Sequence, residues 1–164
     1  MTIRRRTALI IAAACVLVAV GVACSKKEWR YPEDHKRYLN IDAAVEELRS
    51  AYVRKDLSAM QSLFLPSGKL DRVEQDISKD FGAFQEITLE LSIERILVDG
   101  EMIDVYVHWA GLWRRNEADT GVRERGHGML RLAGEHSVLL HSVDGDLPFG
   151  MAIRKPEQKP GGTP

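Results

Sequence analysis

Few groups in this 164-residue chain have the type and spacing to do chemistry. Of its five histidines, His108, His127, His136 and His141 lack the short spacing of a ligand pair. The two cysteines, Cys15 and Cys24, both lie in the first 24 residues and cannot complete a zinc set farther along the chain. Asp144-Gly145-Asp146 offers two carboxylates, well short of the ~6 oxygens that a calcium loop gathers. No metal and no cofactor is therefore expected. His141 is the one candidate for catalysis. An imidazole titrates near pH ~6.5 when unperturbed, and a neighbouring Asp144 or Asp146 could orient it as a general base. The competing reading is a hydrogen-bonded histidine at the core or its rim.

The elements that would position these groups follow from hydrophobic period. Ile41, Ala44, Val45, Leu48, Ala51 and Tyr52 recur at three- and four-residue steps, which predicts a helix with Asn40 as its N-cap. Asp56 is placed to cap a short second helix carrying Leu57, Met60, Leu63 and Phe64, ended by Pro66 and Gly68. Leu70, Val73, Ile77, Phe81 and Phe84 make the stripe of a third. The period then changes to two. Ile87 to Ile93 alternates and Asp99-Gly100 supplies a turn. A strand from Ile103 through Trp113 follows, then a polar loop at 116–121, a strand from Val122 to Leu132, and a last strand from His136 to about Val143. The stretch 151–164, rich in Pro and Gly from Lys155 onward, reads as a disordered tail. Three helices followed by a meander predict an α+β fold, with the helices packed on one face of a curved antiparallel sheet.

Strand register decides which side chains face the helices. Pairing the long hairpin about Ala118-Asp119 sets Trp109 opposite Gly128, Val107 opposite Leu130 and Val105 opposite Leu132 on one apolar face. The glycine leaves room for the indole. A slip by one residue would put arginines among these residues, because it inverts the whole face. His108 and His127 then fall on the outer face with Arg125 and Arg131, where Tyr106, His108, Leu112 and Met129 form either a candidate partner or homodimer surface or simply a solvated face. For the last strand two registers stay open. One buries Val138 and Leu140. The other brings Leu139, His141 and Val143 beside Gly128 and Trp109.

Three stretches resemble the nuclear transport factor 2-like, or cone, fold: the helix break Tyr52-Val53-Arg54-Lys55-Asp56-Leu57-Ser58-Ala59-Met60, the paired strands around Trp109 and Gly126 to Leu132, and the closing Gly145-Asp146-Leu147-Pro148-Phe149-Gly150. The resemblance covers residues 40–150. It implies a pocket between helices and concave sheet, with Tyr52, Phe81, Phe84, Trp109 and Trp113 lining or filling it. The superfamily includes isomerases, cyclases, dehydratases, trafficking adaptors and non-enzymatic envelope domains, so fold does not select the activity. No Asp or Glu falls on the expected inner face of the sheet to serve as a cone-pocket acid or base.

The first residues read as an address. Arg4, Arg5 and Arg6 precede sixteen uncharged residues, Ala8 to Ala23, the layout of a secretory signal peptide over residues 1–23. Gly21-Val22-Ala23-Cys24-Ser25 resembles the lipobox of bacterial lipoproteins, with Gly21 where a Leu is usual. It implies that Cys24 receives the lipid and that Ser25 favours outer-membrane retention in a Gram-negative cell. The other reading is an uncleaved anchor with Cys24 a bystander. Residues 24–39, with Trp29, Tyr31 and Tyr38, read as a tether whose aromatic residues touch either the membrane interface or the domain. Removing residues 1–23 takes away three arginines and no acid, which moves the formal charge from −1 to −4. That balance excludes a dedicated nucleic-acid binder, and loss of Cys15 excludes a disulfide. The function expected is a membrane-anchored envelope lipoprotein domain that binds a partner protein or small apolar ligand, with no catalysis. The alternative is a small acid–base enzyme of the isomerase, cyclase or dehydratase type.

Overall fold

The computed structural model describes residues 32–155. The expected signal peptide 1–23, the expected acylation site Cys24, the expected tether up to residue 31 and the expected tail from residue 156 lie outside the described residues. The chain divides into the units Met1–His35 and Lys36–Pro164, and the fold is that of the second. Its elements are α1 (Pro32–Val53), α2 (Leu57–Ser62), α3 (Asp71–Ala83), β1 (Glu86–Asp99), β2 (Met102–Arg114), β3 (Val122–Ala133), β4 (Leu139–Gly145) and α4 (Met151–Arg154). The strands form one antiparallel sheet in the order β1-β2-β3-β4. The helices before and after the meander cover one face of it, giving the expected α+β arrangement.

The helix break after α1 follows from local chemistry. Lys55 takes φ +57 in the turn, a left-handed conformation that costs a non-glycine residue. Its ammonium donates to the carbonyls of Phe81 (3.2 Å) and Phe84 (2.8 Å). A cation is thus set at the C-terminal end of α3, where the helix dipole favours it. Asp56 then caps α2 as expected, its carboxylate accepting from Ala59 N at 2.9 Å. The short helix stops earlier than expected, and Phe64 instead pairs with Leu140 as an isolated bridge. Ile41, Val45, Leu48, Ala51 and Tyr52 line the buried side of α1.

Alternation along the strands assigns the faces correctly. Ile87, Leu89, Ile103, Val105, Val107, Trp109, Trp113, Leu130 and Leu132 are buried toward the helices. The register differs from the expected one by two residues. Trp109 pairs with Gly126, Val107 with Gly128, Val105 with Leu130 and Ile103 with Leu132. A two-residue shift keeps every side chain on its face, so the glycine that accommodates the indole is Gly126 instead of Gly128. Two bulges bend the sheet. One leaves Glu94 unpaired between Ile93 and Arg95. The other leaves His141 unpaired, since Arg131 faces Ser142 and Leu132 faces Leu140. A bulge inserts one residue and increases the local twist.

Two boundaries move. Helix α1 begins at Pro32, nine residues before the expected start at Ile41, so Asn40 lies within the helix and the stretch 32–39 is not a free tether. Proline suits a first helical position because its φ is already fixed. At the other end, residues 151–154 form α4, with Met151 only 1% exposed. The start of the presumed tail is therefore part of the core.

Candidate functional site

The centre of the molecule is a buried polar chain among aromatic rings. Tyr52 comes from α1, Asp80 from α3 and Trp113 from β2. The Trp113 indole donates to Tyr52 Oη at 3.0 Å, and Tyr52 Oη lies 2.7 Å from Asp80 Oδ2. The same hydroxyl is 3.1 Å from the carbonyl of Pro148. Asp80 is fully buried, the one charged side chain in the core of the described residues. Two backbone groups also bind it, Gly150 N donating to Oδ2 and Ala152 N to Oδ1, each at 2.7 Å. A buried carboxylate is tolerable only when so satisfied. Burial, followed by the charge of Asp80 and the hydrogen bond to it, pushes the Tyr52 hydroxyl well above the ordinary tyrosine value of 10. Tyr52 therefore stays protonated and serves as a donor. With each oxygen of Asp80 engaged, the arrangement acts as a clamp on the chain after β4.

That segment closes the cone. The Trp109 indole donates to the Asp146 carbonyl at 2.8 Å. Arg154 pairs with Asp146 (Nη1 to Oδ1, 2.5 Å) and donates to the carbonyls of Leu147 and Phe149. Gly145 and Gly150, both at φ +79, supply turns that other residues adopt at a cost. Phe149 packs edge-on against Tyr52 at 5.0 Å between ring centroids, and Trp109 packs edge-on against Trp113 at 6.0 Å. Such contacts add to area burial, at about 0.5–1.5 kcal/mol per pair.

The five pocket residues expected from sequence are thus brought together. Tyr52, Phe84, Trp109 and Trp113 are buried, and Phe81, half-buried, sits 5.6 Å from Tyr52. Deeper in the core, the void lined by Ala44, Val45, Leu48, Leu63, Leu132, Val138 and Leu140 holds only about 10 Å³. That is room for one water at most. Two larger hollows among the described residues are open. A groove of about 370 Å³ runs between α1 and α2 beside Glu46, Arg54 and Leu63. Another of about 200 Å³ lies beside Asp76, Leu147 and Arg154.

His141 lies at the β4 bulge, half-buried, with Lys69 Nζ 3.2 Å from its Nε2 and no hydrogen-bond partner at Nδ1. The bulge explains why sequence left two registers. Val138 and Leu140 face the core before it, and Val143 faces Leu130 after it. The imidazole is not beside Trp109. Asp144 binds its neighbour's backbone, Gly145 N at 2.8 Å, and Asp146 binds Arg154.

On the outer face, Tyr106 is paired with Met129, His108 with His127 and Leu112 with Arg123. Arg95 stacks on Tyr106 at 4.1 Å from the ring centroid. The bulged Glu94 places Oε1 3.5 Å from His108 Nδ1 and 3.3 Å from His127 Nδ1. Asp104 and Arg131 form a two-pronged pair, at 2.6 and 2.9 Å, that holds the carboxyl of Asp104 below its ordinary range. Among the described residues no group of His, Cys, Asp and Glu is arranged to hold a metal ion.

Sequence reasoning missed Asp80. It lies three residues after Ile77 and seven after Val73, on the apolar stripe of α3. A carboxylate in that position is a signal for a buried, fully bonded acid.

No protein-family model matches the chain, and no curated protein matches its sequence. Solved structures do match its shape. A nuclear transport factor 2-like superfamily protein from Salmonella enterica superposes with a TM-score of 0.59 at 14% identity, over 70% of this chain and 94% of that one. A conserved protein from Planctomyces limnophilus gives 0.59 at 16% identity, over 68% and 95%. A protein from Kribbella flavida gives 0.60 at 10% identity, over 68% and 90%. The chain therefore has the nuclear transport factor 2-like fold, four antiparallel strands curved around helices.

Proposed function

We propose that this chain is a lipid-anchored envelope domain that acts by binding, with the outer face of the sheet as its binding surface and a second copy of itself as the partner. The observation carrying this reading is the distribution of charge on that face. Strand β1 exposes Glu90 and Glu94, with its Arg95 stacked on Tyr106, whereas β3, two strands away, exposes Arg123 and Arg125. A two-fold axis running along β2 would set the acids of each copy against the arginines of the other. The half-exposed Tyr106, Leu112 and Met129 would then lie at the centre. A self-complementary patch of this kind is what a two-fold interface requires, and an apolar centre with a charged rim is its usual anatomy.

The interior supports binding over catalysis. An acid–base enzyme in the cone would need a free acid or base, and Asp80 would have to release Gly150 and Ala152 to become one. The anchor half of the proposal rests on the Ala23-Cys24-Ser25 sequence and the uncharged run before it. In this reading the domain stands outside the cytoplasm, at the outer membrane if the cell is Gram-negative. Labelling with an acyl-chain analogue tests it. Wild type should take up label and Cys24→Ala should not, and persistent labelling of the variant would show that Cys24 is not the site.

A further inference from the structure

We propose that the end of the domain formed by the start of α1 and the tip of the β1–β2 hairpin rests on the lipid surface, with Tyr38, Leu39, Leu97 and Val98 as its contact residues. This deepens the reading above and depends on its anchor. Arg37 donates to the carbonyl of Gly100, which brings the first turns of α1 beside the hairpin tip. Gly134 N donates to Glu101 O at 3.0 Å, which brings the β3–β4 turn to the same end. The described residues contain five exposed large hydrophobic side chains, and four of them are here: Tyr38, Leu39, Leu97 and Val98, each 39–52% exposed. The remaining one, Ile153, is on α4. The loop at the other end of the long hairpin exposes Asn116 and Glu117, with no large apolar group. The apolar residues are therefore concentrated at one end, and singly scattered ones would need no explanation.

Chain length identifies what covers them. Pro32, where α1 begins, is eight residues after Cys24. A fully extended chain spans ~3.5 Å per residue, so α1 starts within about 28 Å of an acylated Cys24. The apolar end is the end that the anchor holds near the bilayer. A tether of that length raises the effective concentration of surface so far that even a weak contact is populated. Tyrosine and aliphatic residues suit the interface between headgroups and acyl chains. In the sequence of this end Lys36 and Arg37 are outnumbered by Glu33, Asp34, Asp99, Glu101 and Glu135, so it carries no basic excess to draw it to anionic lipid. The contact is apolar and does not depend on anionic lipid, so added salt should leave it in place.

The test uses the full acylated chain in vesicles of phosphatidylcholine and phosphatidylglycerol, with a nitroxide spin label on a single introduced cysteine. Leu97→Cys and Leu39→Cys probe the proposed contact, and Glu117→Cys is the control at the far end. At positions 97 and 39 the label should collide with oxygen several-fold more, relative to a water-soluble nickel chelate, than at position 117. Replacing Leu97 and Val98 together by Ser should lower that ratio at position 39. Equal ratios at all three positions on protein that stays on carbonate-washed vesicles would overturn the docking while leaving the anchor intact. Shielding from nickel without a gain in oxygen would mean cover by protein and would also overturn it. Protein that washes off the vesicles would overturn the anchor and this proposal together.

Discussion

Tyr52 Oη lies 2.7 Å from Asp80 Oδ2, and this contact joins α1 to α3 and, through Gly150 N and Ala152 N, to the segment that closes the cone. Asp80→Asn keeps the shape but replaces one acceptor oxygen by a donor that faces a backbone N–H or the Tyr52 hydroxyl. Hydrogen bonds to a charged group contribute about 1.5–3 kcal/mol each, and an unsatisfied buried group costs a similar amount. The variant should lose about 2–4 kcal/mol. Urea unfolding checks this as a lower midpoint at an unchanged slope. A midpoint equal to that of wild type would show that the clamp contributes nothing.

The same pair sets a pH dependence. Folding holds the Tyr52 hydroxyl protonated well above 10, whereas the unfolded chain releases that proton near 10. A raised folded value gives stability that is fully present below the unfolded value and is lost as pH rises through the folded one. Wild type should therefore lose stability from about pH 10 upward more steeply than Tyr52→Phe, which has no such proton. Parallel curves of unfolding free energy against pH for the two proteins would contradict the assignment.

Two glycine substitutions should have opposite signs. A Cβ at Gly128 would lie 2.8 Å from the Asp146 carbonyl oxygen, the acceptor of the Trp109 indole, and 2.8 Å from Leu147 Cδ2. The carbonyl is backbone and cannot swing aside, so Gly128→Ala should cost about 1–3 kcal/mol, the range for overpacking. At Gly82, inside α3, a Cβ meets nothing within 4 Å. Gly82→Ala should stabilise by about 0.5–1 kcal/mol through helix propensity. Thermal unfolding of both variants checks the pair, and a shift of the same sign in both would refute the packing argument.

Much of the fold was legible because period alone assigns faces. The alternation through Val105, Val107 and Trp109 puts the right residues inside whatever the exact pairing. For the same reason it cannot distinguish Gly126 from Gly128 as the partner of Trp109, since an even shift changes no face. The number of residues in the 115–121 connection decides that, and polar residues do not announce where a ladder ends. His141 was ambiguous because the bulge makes both readings of β4 locally right. Asp80 was passed over because a carboxylate in a helix is usually solvated. Only α1, β2 and the closing segment, brought together in space, reveal its partners. The extension of α1 back to Pro32 was hidden by the charged residues of that stretch, which read equally well as tether.

The self-association proposed for the outer sheet face is tested most directly by sedimentation equilibrium of the full chain in detergent. Wild type should sediment as a dimer. Glu90→Arg with Glu94→Arg should sediment as a monomer, because arginines would then face arginines across the two-fold axis. Adding Arg123→Glu and Arg125→Glu to that variant should restore the dimer. A monomeric wild type, or a dimer indifferent to reversal of the β1 charges, would contradict the account.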